Sequence, residues 1–222
     1  MIISHLHKFI FIHIHKCAGT SISRALLPFL GKDDILLGCT PEAELLNKRS
    51  YKSGGLNKHS NLIEIKQSLD SSIWNSYFKF TFVRNPWDLL VSKYHWALKT
   101  KWDNEKGFIN KIKKLDDFEE YVLSPLCNKR NCKDIISSEK GEIEVDFIGK
   151  YENLERDFLS VCKKLSLSTS KLNKFNPSLH NHYTNYYNPL TRDLVSDWFE
   201  KDINEFNYSF DQPGDNEILL NN

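Results

Sequence analysis

The chain has 222 residues, 40% of them hydrophobic and 27% charged, with a formal net charge of +1. That length suits one sizeable α/β domain and is short for two, and the composition is that of an ordinary soluble globular protein. A balance so close to neutral supplies no global field toward nucleic acid or a membrane surface, and no apolar run approaches the roughly 18 residues needed to cross a bilayer.

"MIISHLHKFIFIHIHK" opens the chain with a short apolar stretch interrupted by histidines and preceded by no cationic segment, so it reads as a first core strand and not as a secretion signal. Within it "FIFIHI" alternates and is rich in β-branched and aromatic residues, which predicts a buried strand over about residues 8–14. "TSISRALLPFL" reads as a helix that Thr20 or Ser21 can cap, with Pro28 near its end. "DDILLG" is a candidate second strand, and residues 42–58 read as a polar, loop-rich excursion. "SNLIEIKQSL" places Leu62, Ile65 and Leu69 at helical spacing behind Ser60 or Asn61 as cap. "YFKFTFVRN" alternates as a strand, and "PWDLLVSKYHWALK" follows as a helix with proline in its first turn. The Lys-rich residues 99–114 and "DDFEEYVLSPL" read as surface helices, "EIEVDFIGKYENL" as a strand entering the helix "NLERDFLSVCKKLSL", and the tail from Pro189 as one long amphipathic helix. Strands alternating with helices predict a mainly parallel sheet covered by helices.

Two stretches carry chemistry. In "FIHIHKCAGTS" (11–21) a strand passes through a loop of small residues into a helix, the geometry that aims backbone N–H groups at an anion. Ala18 and Gly19 allow close approach, Thr20 and Ser21 add hydroxyls, and Lys16 adds charge. The competing reading is an ordinary βα turn that happens to hold a glycine. A Walker loop needs lysine directly after its last glycine. Here Thr20 follows Gly19, which argues against an ATP or GTP hydrolase. In "FKFTFVRNPWDLLVSKY" Arg84 ends a strand and Ser92 lies eight residues on, so a guanidinium fork and a hydroxyl converge on a second anion without a metal. The structural alternative is an arginine pairing with Asp88.

Together these two elements resemble the sulfotransferases. "HKCAGTS" is similar to their 5′-phosphosulfate loop and "FVRNPWDLLVS" to their 3′-phosphate motif. The wording lies nearest the carbohydrate branch, which includes the heparan 2-O- and chondroitin-type enzymes. His15 and Cys17 depart from that family's usual loop, while Lys16, Gly19, Thr20 and Ser21 match it. The likeness continues through "DFIGKYENLERDF" (146–158) and the stretch from Asn176 to Phe210. It implies a single domain, 1–222, with a P-loop NTPase-like central parallel sheet flanked by helices. It also implies 3′-phosphoadenosine 5′-phosphosulfate as donor, no metal, and a carbohydrate or polysaccharide acceptor. Lys16 would then assist the departing phosphate, and residues Cys17, Ala18, Gly19, Thr20 and Ser21 would hold the 5′-phosphate. Arg84 and Ser92 would take the 3′-phosphate, with Ser178 a further nucleotide contact.

Transfer to a hydroxyl requires a group that takes its proton, and histidine suits this near neutral pH. Of the eight histidines, His59 in "GLNKHSNLIEI" stands where the carbohydrate branch carries its base, and His15 beside the loop is the second candidate. His13 reads as a core histidine, His5 and His7 as a solvated edge, and His180 and His182 as nucleotide or acceptor contacts or a surface turn. Trp87, Tyr94, Trp96 and Trp102 read as core packing. The five cysteines, an odd number, are expected as reduced thiols in a cytoplasmic protein; Cys127 and Cys132 in "CNKRNC" leave a local disulfide or half a metal site open. Two other functions fit less of the sequence. One is a nucleoside-kinase-like phosphotransferase, and the other is a catalytically silent nucleotide- or glycan-binding protein on the same fold.

Overall fold

The computed structural model describes residues 1–101, 107–168, 172 and 181–211. They form two compact units, and the chain passes between them in sequence. The first comprises Met1–Val83 and Cys132–Phe175, the second Arg84–Asn131 and Asn176–Asn222.

The first unit is built on a five-stranded mixed sheet flanked by helices. Strands β1 (Ile2–Ser4), β2 (Phe9–Ile12), β3 (Ile35–Leu36), β4 (Phe78–Val83) and β5 (Phe147–Lys150) lie in the order β3-β1-β2-β4-β5. β2, β4 and β5 are parallel, as the alternation of strands and helices predicts, with Ile12 opposite Thr81 and Val83 opposite Lys150. The Thr81 hydroxyl donates to the Ile12 carbonyl at 2.8 Å and ties the first two of these strand ends together. β1 is the addition that sequence reading missed. It runs antiparallel to both β2 and β3, so the apolar N-terminus is a hairpin and not one strand. Its turn lacks the usual Asn-Gly or Asp-Gly signal; Lys8 adopts the left-handed conformation, with φ of 53°. Asp34 holds the same turn from outside, accepting from the Ser4 hydroxyl at 2.6 Å and from the amides of His5, Leu6 and Gly31 at 2.6, 3.1 and 3.0 Å.

The helices of this unit that precede β4 are α1 (Gly19–Leu26), α2 (Pro41–Lys52), α3 (Leu62–Gln67) and α4 (Ser71–Ser76). α2 replaces the loop expected over residues 42–58. Its apolar pattern is weak, but proline stands at its first position, Glu42 and Glu44 in its first turn, and Arg49 and Lys52 in its last, all favourable to the helix dipole. α3 starts at Asn61, which forms a capping box with Glu64. The core is apolar and dense: Ile2, Ile3, Phe9, Ile10, Ile12, Ile22, Leu26, Leu62, Ile65 and Phe80 are all fully buried.

The second unit contains α5 (Pro86–Lys99), α6 (Phe108–Ile112) and α7 (Phe118–Leu123); the chain then returns to the first unit for α8 (Cys132–Ile136) and α9 (Leu154–Lys164), and ends in the second with α10 (Pro189–Trp198) and α11 (Glu200–Phe206). α6 and α7 are not merely surface helices. Ile109, Ile112, Phe118, Tyr121 and Val122 join Trp87, Leu90, Val91, Tyr94, Val195 and Phe199 in one apolar cluster. The tail is two helices that break at Phe199, whose side chain is fully buried. All five cysteines are free, so Cys127 and Cys132 are separate buried thiols and form no disulfide. No helix among the described residues is long and apolar enough to cross a membrane.

Candidate active site

β2 ends at Ile12, and residues 13–18 carry the chain from the carboxyl edge of the parallel strands to the start of α1. In open α/β sheets ligands bind at that edge. The loop is tightly wound. Lys16 and Ala18 have φ of 66° and 60°, left-handed values that side chains other than glycine rarely adopt, and the Cys17 amide donates to the Ile14 carbonyl at 3.4 Å. Such backbone clusters at ligand sites, where the surrounding fold enforces it.

Neither Thr20 nor Ser21 caps α1. The helix begins one residue earlier, at Gly19, and its N-cap is Ala18, whose methyl group makes no capping hydrogen bond. The first-turn amides of a helix lack intrahelical acceptors and sit at the positive end of its dipole. Thr20 and Ser21 lie within that turn.

Gly19 has a specific reason to be glycine. A Cβ there would lie 2.0 Å from Cδ2, 2.1 Å from Nε2 and 2.6 Å from Cγ of His13. The His13 ring, 4% exposed, occupies the volume of the missing side chain. Burial holds its pKa well below the ordinary 6.5, so the ring is neutral.

His59 stands beside it. The two rings meet edge to face, with centroids 4.8 Å apart, and His15 meets His59 in the same manner at 5.1 Å. The structure thus brings both candidate bases, and His13, together at the loop of residues 13–18. His59 Nδ1 lies 3.0 Å from the His13 carbonyl oxygen. A carbonyl only accepts, so Nδ1 carries the proton and Nε2 the lone pair, the tautomer a general base needs. Burial lowers the His59 pKa to about 4; the bond to His13 works against this, and the Lys58 charge adds to it. At neutral pH the ring is uncharged and able to accept a proton.

The supports of His59 come from the helix that the sequence conceals. The Lys58 amide donates to Asn47 Oδ1 of α2 at 2.6 Å, and Lys58 Nζ pairs with Glu44 of α2 at 3.0 Å. Within the turn, the His59 amide donates to Asn57 Oδ1 at 2.9 Å and the Asn57 amide to the Ser60 hydroxyl at 2.9 Å. Among the described residues, no group of three or more His, Cys, Asp and Glu side chains is arranged to hold a metal ion.

Arg84 and Ser92 are in the second unit. Arg84 immediately follows Val83, the carboxyl end of β4, and is 4% exposed. Its Nε donates to Asp88 Oδ2 at 2.7 Å, the pairing that the sequence offers as the structural alternative. Ser92 is one turn beyond Asp88 on α5 and 1% exposed. Asn85 caps α5 by accepting from the Trp87 amide at 3.1 Å and donates to the Ser209 carbonyl at 3.0 Å. Trp87 and Tyr94 are buried packing residues, as expected. Ser178, His180 and Trp102 lie outside the described residues.

The chain is 31% identical over 124 residues to an uncharacterized protein of Archaeoglobus fulgidus, a match spanning 54% of this chain and 92% of that protein. The model of the Sulfotransferase family matches residues 1–209, which takes in the loop of residues 13–18, the histidine cluster, Arg84, Ser92 and the tail helices, and the chain therefore belongs to the sulfotransferase family.

Proposed function

We propose that the chain acts over 1–222 as one sulfotransferase domain, moving a sulfuryl group from 3′-phosphoadenosine 5′-phosphosulfate to a carbohydrate hydroxyl by in-line displacement. The observation that carries this reading is the fixed tautomer of His59, held beside the phosphate loop with Nε2 as its acceptor atom. The donor fits the residues present: an uncapped helix start, close approach at Gly19 and a lysine in the winding loop suit an anion, and a family of sulfuryl transferases supplies its class. When bound, it supplies the activated sulfuryl group.

His59 Nε2 takes the proton of the acceptor hydroxyl as the new O–S bond forms and the bond from sulfur to the bridging oxygen breaks. Lys16 offsets the charge that grows on the departing 5′-phosphate. Cys17, Ala18, Gly19, Thr20 and Ser21 hold that phosphate through first-turn amides and hydroxyls. Arg84, its plane set by Asp88, takes the 3′-phosphate with Ser92. Ser178 is a further nucleotide contact on sequence grounds alone. Burial makes His59 a weak base, and the charge of a bound polyanion raises its pKa toward the range where general bases work best. No metal enters the scheme. A cytoplasmic enzyme acting on a surface glycan or its precursor fits the sequence.

The test is transfer of radiolabelled sulfate from the phosphosulfate donor to a panel of glycans. Lys16→Ala and His59→Ala are each expected to lower the rate by about 100-fold or more. Labelling that survives both changes refutes the mechanism. Calorimetry separates the rivals. Tighter binding of ATP with Mg²⁺ than of adenosine 3′,5′-bisphosphate favours a phosphotransferase, and binding of the bisphosphate without transfer to any glycan favours a silent binding protein.

A further inference from the structure

We propose that His13 is a positioning residue, one whose ring transmits the geometry of the phosphate loop to the proton-accepting His59; this rests on the sulfuryl-transfer reading above. The ring sits one residue past the end of β2, between three surfaces. Gly19, the first residue of α1, leaves it the space of a side chain. Phe11 stacks on it at 5.9 Å with an interplanar angle of 23°. His59 meets it edge to face at 4.8 Å and 74°. The backbone of the same residue accepts the Nδ1 proton of His59. His13 therefore touches the loop through its ring and fixes the base through both ring and carbonyl.

A purely structural role explains this residue poorly. His13 Nδ1 is buried and has no hydrogen-bond partner. An orphaned buried polar atom costs about 1–3 kcal/mol, which an apolar side chain would avoid. A flat five-membered ring, however, fits a slot bounded by a helix start on one side and another imidazole on the other. The slot also explains why residue 19 has no side chain: the first atoms an added methyl meets all belong to His13. Any shift of the first turn of α1 toward His13 presses on its ring, and the ring is packed in turn against Phe11 and His59. Occupancy of the phosphate loop and alignment of the base are thereby linked through one side chain.

The test reads the His59 tautomer directly, by long-range ¹H–¹⁵N NMR of the imidazoles at pH 7.5 in the purified full chain without donor. The wild type is expected to show His59 protonated at Nδ1. Gly19→Ala, whose methyl displaces the His13 ring, and His13→Ala, which removes it, are each expected to move His59 toward a mixture containing the Nε2-protonated form. In the double variant the Gly19 change adds nothing further, because its target is gone. Unchanged His59 signals in folded Gly19→Ala and His13→Ala proteins overturn the proposal, as does full additivity in the double variant. If His13→Ala does not fold, His13→Asn takes its place and Gly19→Ala remains decisive. These signals need neither donor nor acceptor. A wild type that shows the coupling yet transfers no sulfate to any acceptor fails the functional reading alone, and one that transfers sulfate without the coupling fails this inference alone.

Discussion

Burying a neutral histidine leaves a signature in acid. His59 has its pKa lowered from 6.5 to about 4 by desolvation, while the unfolded chain returns it to the ordinary value. The unfolded state therefore binds the His59 proton more readily than the folded state between these two values. Stability from this source is fully present above pH 6.5 and is lost as pH falls toward 4. At 1.36 kcal/mol per pKa unit, moving from pH 7.5 to pH 4.5 removes about 2.5 kcal/mol through His59 alone. His13, lowered in the same direction by burial, steepens the fall in the wild type. Urea unfolding followed by tryptophan fluorescence at several pH values measures the curve. His59→Gln removes the titrating group, so its stability is expected to fall less than the wild type's over this window, by about 2 kcal/mol. Parallel curves for the two proteins would show that His59 keeps an ordinary pKa in the fold, and would remove the argument that it stands neutral and desolvated beside the loop.

Other changes test the supports of the site. Asp34 accepts four hydrogen bonds at the β1–β2 turn; partial burial opposes its charge, but the bonds from Ser4, Gly31, Leu6 and His5 together hold its pKa below the ordinary 3.8. Asp34→Ala should cost about 1–3 kcal/mol in urea unfolding, and the wild-type advantage should shrink as pH falls through the carboxylate range. Asp88→Ala removes the carboxylate that pairs with the buried Arg84 guanidinium and is expected to lower stability by about 3 kcal/mol, measured by thermal unfolding, with weaker binding of adenosine 3′,5′-bisphosphate in calorimetry. Gly149 lies on β5, where a Cβ would stand 2.3 Å from Phe82 Cε1. Gly149→Ala should cost about 1–3 kcal/mol by overpacking, and Phe82→Leu in the same chain should recover part of that loss.

The two strand–loop–helix elements were legible because their patterns are local. A strand, a small-residue loop and a helix start lie within eleven residues, and Arg84 and Ser92 follow β4 in the same local manner. The alternating apolar residues of β2 and β4 name their own period, and the Asn61 capping box names the start of α3. The hairpin of β1 was concealed because its turn depends on Lys8 in a left-handed conformation and on a carboxylate from Asp34, a residue 29 positions from His5. α2 was concealed because its apolar stripe is weak, although its charges follow the helix dipole.

By itself, then, the sequence pointed to the family, since the strand, loop and lysine of residues 11–21 are written in consecutive positions. By resemblance it put His59 ahead of His15 as candidate base. Only the tertiary structure set the His59 Nδ1 proton on a carbonyl 46 residues away, seated the turn on α2, and placed His13 against Gly19. Those are contacts between segments distant in the chain, and such contacts are decided by packing, for which local residue patterns carry no code.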